Sequence, residues 1–326
     1  MFQFEGLLEL IEQYAVITLF RHEHPDCDAV GSQFGLKNWI LDNWPDKKVY
    51  ALGNEYCEQG NCWPESDSCL GSEIEESLAI ILDTANTARM DDRRGLKAAK
   101  VVRIDHHPKV ENFGDICYIY PSAASTCELL GDFFRQNEQD ISLKTAEYLF
   151  RGILTDTLSF RTSSTTSYSL DVAGWLARFG VRFPELNRQL FDQPLERFKF
   201  ANMLRSSVQI RDEKLAYRIV SIKEMEEWGM EAQDVKNFIE EFGGVREFEV
   251  YGIFCQKLVN GEIRYDGSIR SKHVIINGIA QRHKGGGHPN ACGVKNLTND
   301  ELNHLLNALY QAIFGQGEIG LSSIEM

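Results

Sequence analysis

Residues 21–32, RHEHPDCDAVGS, place His22, His24, Asp26 and Asp28 directly behind the apolar run YAVITLF. Burying carboxylates and imidazoles is costly unless opposite charge meets them. Such a cluster at the end of a buried strand therefore points to a cation or another ionic ligand. Three further groups match it: Asp83 in LAIILDTAN, Asp105, His106 and His107 in VVRIDHHP, and Asp156 in GILTDTLSFRTSSTT. Carboxylates and imidazoles without a thiolate suit a hard-to-borderline divalent ion such as Mn²⁺ better than structural zinc. The set offers more ligands than one ion takes, which suggests two ions sharing a carboxylate. Two ions about 3.5–4 Å apart can activate a water and hold a phosphoryl oxygen. The even spacing of His22, Asp26 and Asp28 would turn them to one side of an extended segment. Pro25 biases His24 toward extended backbone, and Gly31 permits a close turn before the next helix. Taken singly, each residue has an ordinary explanation as a cap, a turn or a surface histidine. Their joint occurrence at equivalent sheet ends carries the chemistry.

The segments around these clusters alternate in type. FEGLLELIEQY has helical spacing, AVITLF is a strand, VGSQFGLKNWILDNW is a helix, and KVYAL, SLAIILDTA and AAKVVRIDHH are strands. Short strands that are apolar throughout, separated by helices, indicate a parallel sheet covered on both faces. Ligands of such sheets bind at the strands' C-terminal ends, where the strand order switches. Three of the four clusters fall at such ends, and Asp156 sits just past a helix. Helices follow in ASTCELLGDFFRQ, SLKTAEYLFRGILTDT and SYSLDVAGWLARFG, then a broken helical connector around Pro194. Beyond it LAYRIVSI, EFEVYGIFCQKLV and EIRYDGSIRS read as strands, with helices in AQDVKNFIEEFG and NDELNHLLNALYQAIF. That is a mixed α+β second domain.

Composition limits the partners. The chain has 326 residues and a formal net charge of −14, with 43% hydrophobic residues. The acidic balance argues against binding duplex DNA, which relies on clustered Lys and Arg. No apolar stretch is long enough to span a bilayer, so no membrane partner is expected. The N-terminal stretch lacks the basic start of a signal peptide, and the eight scattered cysteines read as reduced cytoplasmic thiols. Cys57, Cys62 and Cys69 share one loop but lack an obvious fourth zinc ligand. In HKGGGHPNACG, Gly285, Gly286 and Gly287 let backbone N–H groups approach an anion, as in phosphate-binding nests. His288, Lys284, Arg282 and Arg270 gather donors around it. Trp63, Phe160 and Tyr265 are candidates for base stacking, with packing as the alternative.

The motifs HEHPDCDAVGS, ILDTAN, IDHHP and TDT, in this order, resemble those of the DHH phosphoesterase superfamily. GSIRS and HKGGGHPNACG resemble the DHHA1 domain that accompanies it, and the match covers nearly the whole chain. Among such two-domain proteins the sequence is most similar to the bacterial oligoribonuclease/pAp phosphatases, the nanoRNases. The resemblance implies an α/β fold with a metal-binding catalytic DHH domain over residues 1–186. A helical linker (187–210) and a substrate-binding DHHA1 domain (211–326) would follow, the two domains facing each other across a cleft. It implies His22, Asp26 and Asp83 around one Mn²⁺, and Asp28, Asp83, His106 and Asp156 around a second. Asp83 would bridge the ions, His107 would lie near the scissile phosphate, and Asp105 would orient an imidazole. Arg270 and His288, with Arg161 from the first domain, would grip the substrate's distal phosphate or sugar. Two positions depart from the pattern: Cys27 stands where a small residue is usual, and Leu158 where relatives often have Gly. The implied partners are short RNA oligonucleotides and phosphorylated nucleotides. Cyclic di-AMP or its linear product pApA is the rival substrate, and a non-catalytic nucleotide sensor the rival of another class. The sequence leaves the oligomeric state open, a homodimer included.

Overall fold

The computed structural model describes residues 2–54, 57, 63–137 and 141–315. The chain divides into two compact units, Met1–Asp192 and Gln193–Met326.

The first unit contains α1 (Leu7–Gln13), β1 (Val16–Phe20), α2 (Cys27–Asn43), β2 (Lys48–Ala51), α3 (Gly71–Glu75), β3 (Leu78–Leu82), β4 (Lys100–Asp105) and β5 (Ile116–Ile119). Helices α4 (Thr126–Gln136), α5 (Leu143–Asp156), α6 (Ser167–Ala177) and α7 (Phe183–Phe191) complete it. All five strands are parallel, in the order β2-β1-β3-β4-β5. The chain leaves β1 toward β2 and then crosses back to place β3 on β1's other side. The strand order therefore switches between β1 and β3, beside the segments that carry His22 and Asp83. β3 is buried along its whole length, as its unbroken apolar sequence LAIIL requires. One face packs Ile17, Leu19, Ile80, Val102 and Ile104 against Trp39, Phe133 and Leu149 of the helices. The other face carries a smaller cluster of Phe20, Ala79, Ile81, Met90 and Val101.

Gly31, expected at a turn, lies inside α2 instead. A Cβ there would stand 2.5 Å from the carbonyl oxygen of Tyr148, so its absence lets α2 and α5 approach closely.

The second unit holds α8 (Leu195–Ser206), β6 (Gln209–Arg211), β7 (Leu215–Val220), α9 (Ile222–Trp228), α10 (Ala232–Lys236), α11 (Glu240–Gly243), β8 (Val250–Val259) and β9 (Glu262–Ser271). It ends with α12 (Asn277–Arg282), β10 (Gly285–His288), β11 (Ala291–Leu297) and α13 (Asn299–Gly315). Its six-stranded sheet runs β10-β11-β9-β8-β7-β6, with only β7 and β8 parallel. One face packs against α12 and α13, through Ile279, Leu302, Leu305 and Leu309. The other packs against α8 to α11, through Phe200, Met225, Phe238 and Phe242. The broken connector is α7, which ends the first unit, and α8, which opens the second with Pro194 at its N-cap.

Candidate active site

The site forms where β1, β3 and β4 end. Asp83 follows β3 directly and adopts a left-handed conformation, φ 50°, which an aspartate tolerates better than most residues. That bend keeps its N–H on the carbonyl of Ile104, 3.0 Å away, while its carboxylate turns toward the histidines. His22 Nε2 stands 3.3 Å from Asp83 Oδ2 and 3.8 Å from Asp26 Oδ2. His106 Nε2 lies 3.4 Å from both Asp83 Oδ1 and Asp156 Oδ2, and 3.9 Å from Asp28 Oδ2. His107 Nδ1 is 2.8 Å from Asp105 Oδ1 and 3.3 Å from Asp83 Oδ1. Three overlapping groups result: His22, Asp26 and Asp83; Asp28, His106 and Asp156; and Asp83, His106 and His107.

The route by which three of these residues converge differs from the expected one. Asp26 is the N-cap of α2, its Oδ1 accepting from the N–H groups of Asp28 and Ala29, and Asp28 lies in the helix's first turn. The segment is therefore not extended, and the even spacing has no part in its geometry. His24 has φ 51°, not the extended backbone that Pro25 favours, because the chain must turn sharply into the helix. Asp156 is the last residue of α5 rather than a residue beyond it. After it, Leu158, Ser159 and Phe160 all have positive φ, 45°, 61° and 63°, which explains why a glycine suits position 158.

Asp28 is fully buried and held by a feature the motif reading missed. The N-terminus of α4 donates to it twice, from Thr126 N at 2.7 Å and Cys127 N at 2.8 Å. The Thr126 hydroxyl reaches Asp83 Oδ1 at 3.3 Å. The signal was in the sequence: Ser125 caps α4 and accepts from Glu128 N, while Glu128 accepts from Ala124 N. A capping pattern in ASTCE marks where helix donors are available. Gly152 lets α5 pass this spot, since a Cβ there would stand 2.8 Å from Asp28 Oδ1 and 2.3 Å from Cys127 Sγ.

Crowding of like charge governs the electrostatics. Burial and the neighbouring Asp28 and Asp83 push Asp156 up to about 9, and burial with Asp83 pushes Asp28 up to about 7. Burial also disfavours charge on Asp83, yet hydrogen bonds from His106, His107 and His22 hold it well below the usual carboxylate range. Burial opposes the charging of His22 and His106, but Asp26 and Asp83 raise the first to about 10, and Asp83, Asp28 and Asp156 the second to about 9. Hydrogen bonds to Asp105 and Asp83 raise His107 to about 10. Carboxylates this close must hold protons unless positive charge offsets them. The donor set, four aspartates and two or three imidazoles, fits a divalent cation. The Cys27 thiol interacts with Cys57 and contributes no ligand to the three groups.

The remaining candidates lie elsewhere. Arg161 is exposed, with Nε on the carbonyl of Leu158 at 2.9 Å. Arg270 is half-buried, 3.6 Å from Glu240. The register Arg270↔Ala291↔His288 sets Arg270 and His288 in one row across β9, β11 and β10. GGGH is an edge strand rather than a nest-forming turn. A Cβ on Gly285 would meet Gly293 O at 2.2 Å and one on Gly287 would meet Ala291 O at 2.3 Å, so both serve close pairing with β11. Gly286 has open space. Lys284 is paired with Glu301 at 2.6 Å. Trp63 stacks on Tyr148, Phe160 on Phe183, and Tyr265 is buried in the second core. Cys62 lies outside the described residues, while Cys57 and Cys69 contribute no ligand to the three groups.

Comparison with known proteins identifies the family. The N-terminal domain of the DHH family matches residues 16–153 and the DHHA1 domain residues 212–314. A probable bifunctional oligoribonuclease and PAP phosphatase NrnA of Streptococcus mutans is 34% identical, over 90% of this chain and 94% of its own. The bifunctional oligoribonuclease and PAP phosphatase NrnA of Bacillus subtilis is 30% identical, over 92% and 95%. The crystal structure of an exopolyphosphatase-related protein from Bacteroides fragilis has the same fold, with a TM-score of 0.77 at 22% identity over 95% of each chain. With a DHH-family domain matched over residues 16–153 and a DHHA1 domain following in the chain, the protein belongs to the DHH family of metal-dependent phosphoesterases.

Proposed function

We propose that this phosphoesterase uses two Mn²⁺ ions to hydrolyse very short RNA to 5′-mononucleotides and pAp to AMP. The observation that carries the reading is the sharing of Asp83 and His106 among three ligand groups within one cluster. His22, Asp26 and Asp83 would hold one ion, and Asp28, Asp83, His106 and Asp156 the other. Bound there, such ions supply an ionised water at neutral pH and offset charge on the phosphoryl oxygens. The chain's own residues do the rest. The N–H groups at the start of α4 fix Asp28, and the left-handed bend fixes Asp83. His107 commits Nδ1 to Asp105, which leaves Nε2 to meet a phosphate oxygen. In the second unit Arg270 and His288, neighbours in one row of the sheet, would bind the distal phosphate or sugar, as the resemblance implies. The relatives named as oligoribonuclease and PAP phosphatase, aligned over nine-tenths of this chain, support this substrate class over cyclic dinucleotides. Eight cysteines scattered along the chain fit a reducing cytoplasm as its setting.

The test is hydrolysis of a dinucleotide, pAp, pApA, cyclic di-AMP and a 24-mer at one salt concentration, with Mn²⁺ and with chelator. Mononucleotide release from the dinucleotide and AMP release from pAp, both lost with chelator, are expected. The 24-mer should be slower, because a net charge of −14 repels a long polyanion. Faster turnover of cyclic di-AMP, or of the 24-mer, would overturn the assignment.

A further inference from the structure

We infer that Arg103 is a positioning residue, a buried guanidinium that fastens Asp105, and through it His107, to the turn that carries Asp83. The inference rests on the phosphoesterase reading of the site, and the residue lies outside the motifs HEHPDCDAVGS, ILDTAN, IDHHP and TDT. Arg103 is fully buried on β4, two residues before Asp105 and on the same face of the strand. Its Nη2 donates to Asp105 Oδ2 at 2.5 Å and to the carbonyl of Ala85 at 3.0 Å, two residues past Asp83. Its Nη1 donates to the carbonyl of Glu111 at 3.2 Å, and the guanidinium lies over the Phe113 ring, 4.5 Å from its centre. Glu111 in turn accepts from the N–H of Thr87 at 2.7 Å and from its hydroxyl at 2.9 Å. One side chain thus ties three segments: the turn after β3, the end of β4, and the loop before β5.

Stability gives a poor reason for this arrangement. Charge pairs buried among apolar residues often contribute less than apolar side chains of equal volume, and the surroundings here are the cluster of Phe20, Ile81 and Val101. Geometry gives a better one. Asp105 has two oxygens and divides them: Oδ2 goes to Arg103, and Oδ1 to the N–H of His107 at 3.0 Å and its Nδ1 at 2.8 Å. With Oδ2 anchored, the carboxylate cannot rotate, so the His107 ring keeps one orientation beside Asp83 and the His106 ring. Hydrogen bonds that orient an active-site imidazole are worth about 10- to 100-fold in activity or metal affinity. A lysine cannot reproduce the fork, since its ammonium cannot reach Asp105, Ala85 and Glu111 in the guanidinium's plane.

The experiment compares wild type with Arg103→Lys by steady-state kinetics on a dinucleotide, with bound Mn²⁺ measured by elemental analysis. A second measurement, NMR of the metal-free proteins, follows the hydrogen-bonded ring N–H of His107, assigned by its loss in His107→Asn. Expected for Arg103→Lys are a kcat lowered about 10- to 100-fold, a KM within about threefold, unchanged metal content, and a ring N–H lost to exchange. Wild-type kcat in the folded variant, a loss confined to KM, or an unaltered ring N–H overturns the inference. If wild type fails to hydrolyse the dinucleotide, the function assigned above falls while the ring N–H still decides the role of Arg103. Should Arg103→Lys melt below the assay temperature, Arg103→Gln, with Asp105 intact, is examined at a temperature where it is folded. That protein must then lose the protected ring N–H, and its retention refutes the positioning role.

Discussion

Asp83 concentrates the site's chemistry in one carboxylate. Its two oxygens face His22 on one side and His106 and His107 on the other, and it belongs to two of the three ligand groups. Asp83→Asn keeps the side chain's shape and its tolerance of the left-handed bend, yet removes the charge. Loss of shared metal charge stabilisation costs several kcal/mol, so kcat should fall by about 10³-fold or more. Elemental analysis should find less bound Mn²⁺, and circular dichroism an unchanged fold. Normal turnover by a folded Asp83→Asn protein would sink the two-metal reading.

At the scale of elements, the site depends on how helices begin and end. The turn after α5 carries three successive non-glycine residues with positive φ, and each costs on the order of 1–2 kcal/mol. Leu158 is half exposed, so a glycine there loses little burial. Leu158→Gly should therefore stabilise the first unit by about 0.5–1 kcal/mol after the extra chain entropy is subtracted. Urea unfolding measures this, and a lower midpoint would refute it. At the start of α9, Ser221 and Glu224 form a reciprocal cap: Ser221 Oγ accepts from Glu224 N, and Glu224 Oε2 from Ser221 N. Ser221→Ala should cost about 1 kcal/mol at pH 7. Burial pushes the Glu224 carboxyl up, but the N–H and hydroxyl of Ser221 and the Arg218 guanidinium outweigh it and hold it below the usual range. A depressed carboxyl contributes stability above its unfolded value, lost as pH falls through the folded one. The cost of Ser221→Ala should accordingly shrink as the pH is lowered below about 4, and a pH-independent cost would contradict the cap.

For the whole molecule, the proposed division of labour between the two units is what kinetics can test. If Arg270 and His288 grip substrate while the first unit holds metal, Arg270→Ala and His288→Ala should keep their Mn²⁺. Each should lose about 10- to 150-fold in kcat/KM, the value of a charge-assisted hydrogen bond of roughly 1.5–3 kcal/mol. Unchanged kcat/KM or lost metal would reassign the row across β9, β11 and β10. Much of this molecule was legible in the sequence, because hydrophobic period and strand-end chemistry are local properties. LAIIL could only be a doubly covered strand, and an aspartate, two histidines and another aspartate at neighbouring strand ends could hardly all be caps. Local pattern alone set the α/β class, the strand ends that matter and the types of the candidate ligand residues. Contacts between segments distant in the chain were decided only by tertiary structure. The helix that clamps Asp28 starts 98 residues later. GGGH read as an anion-binding turn until its pairing with β11 made it an edge strand. Arg103, a charge in the middle of an apolar strand, has no meaning until the folded sheet sets it beside Asp105, Ala85 and Glu111. Which partner satisfies a buried charge depends on where the whole chain goes, and no local pattern records that.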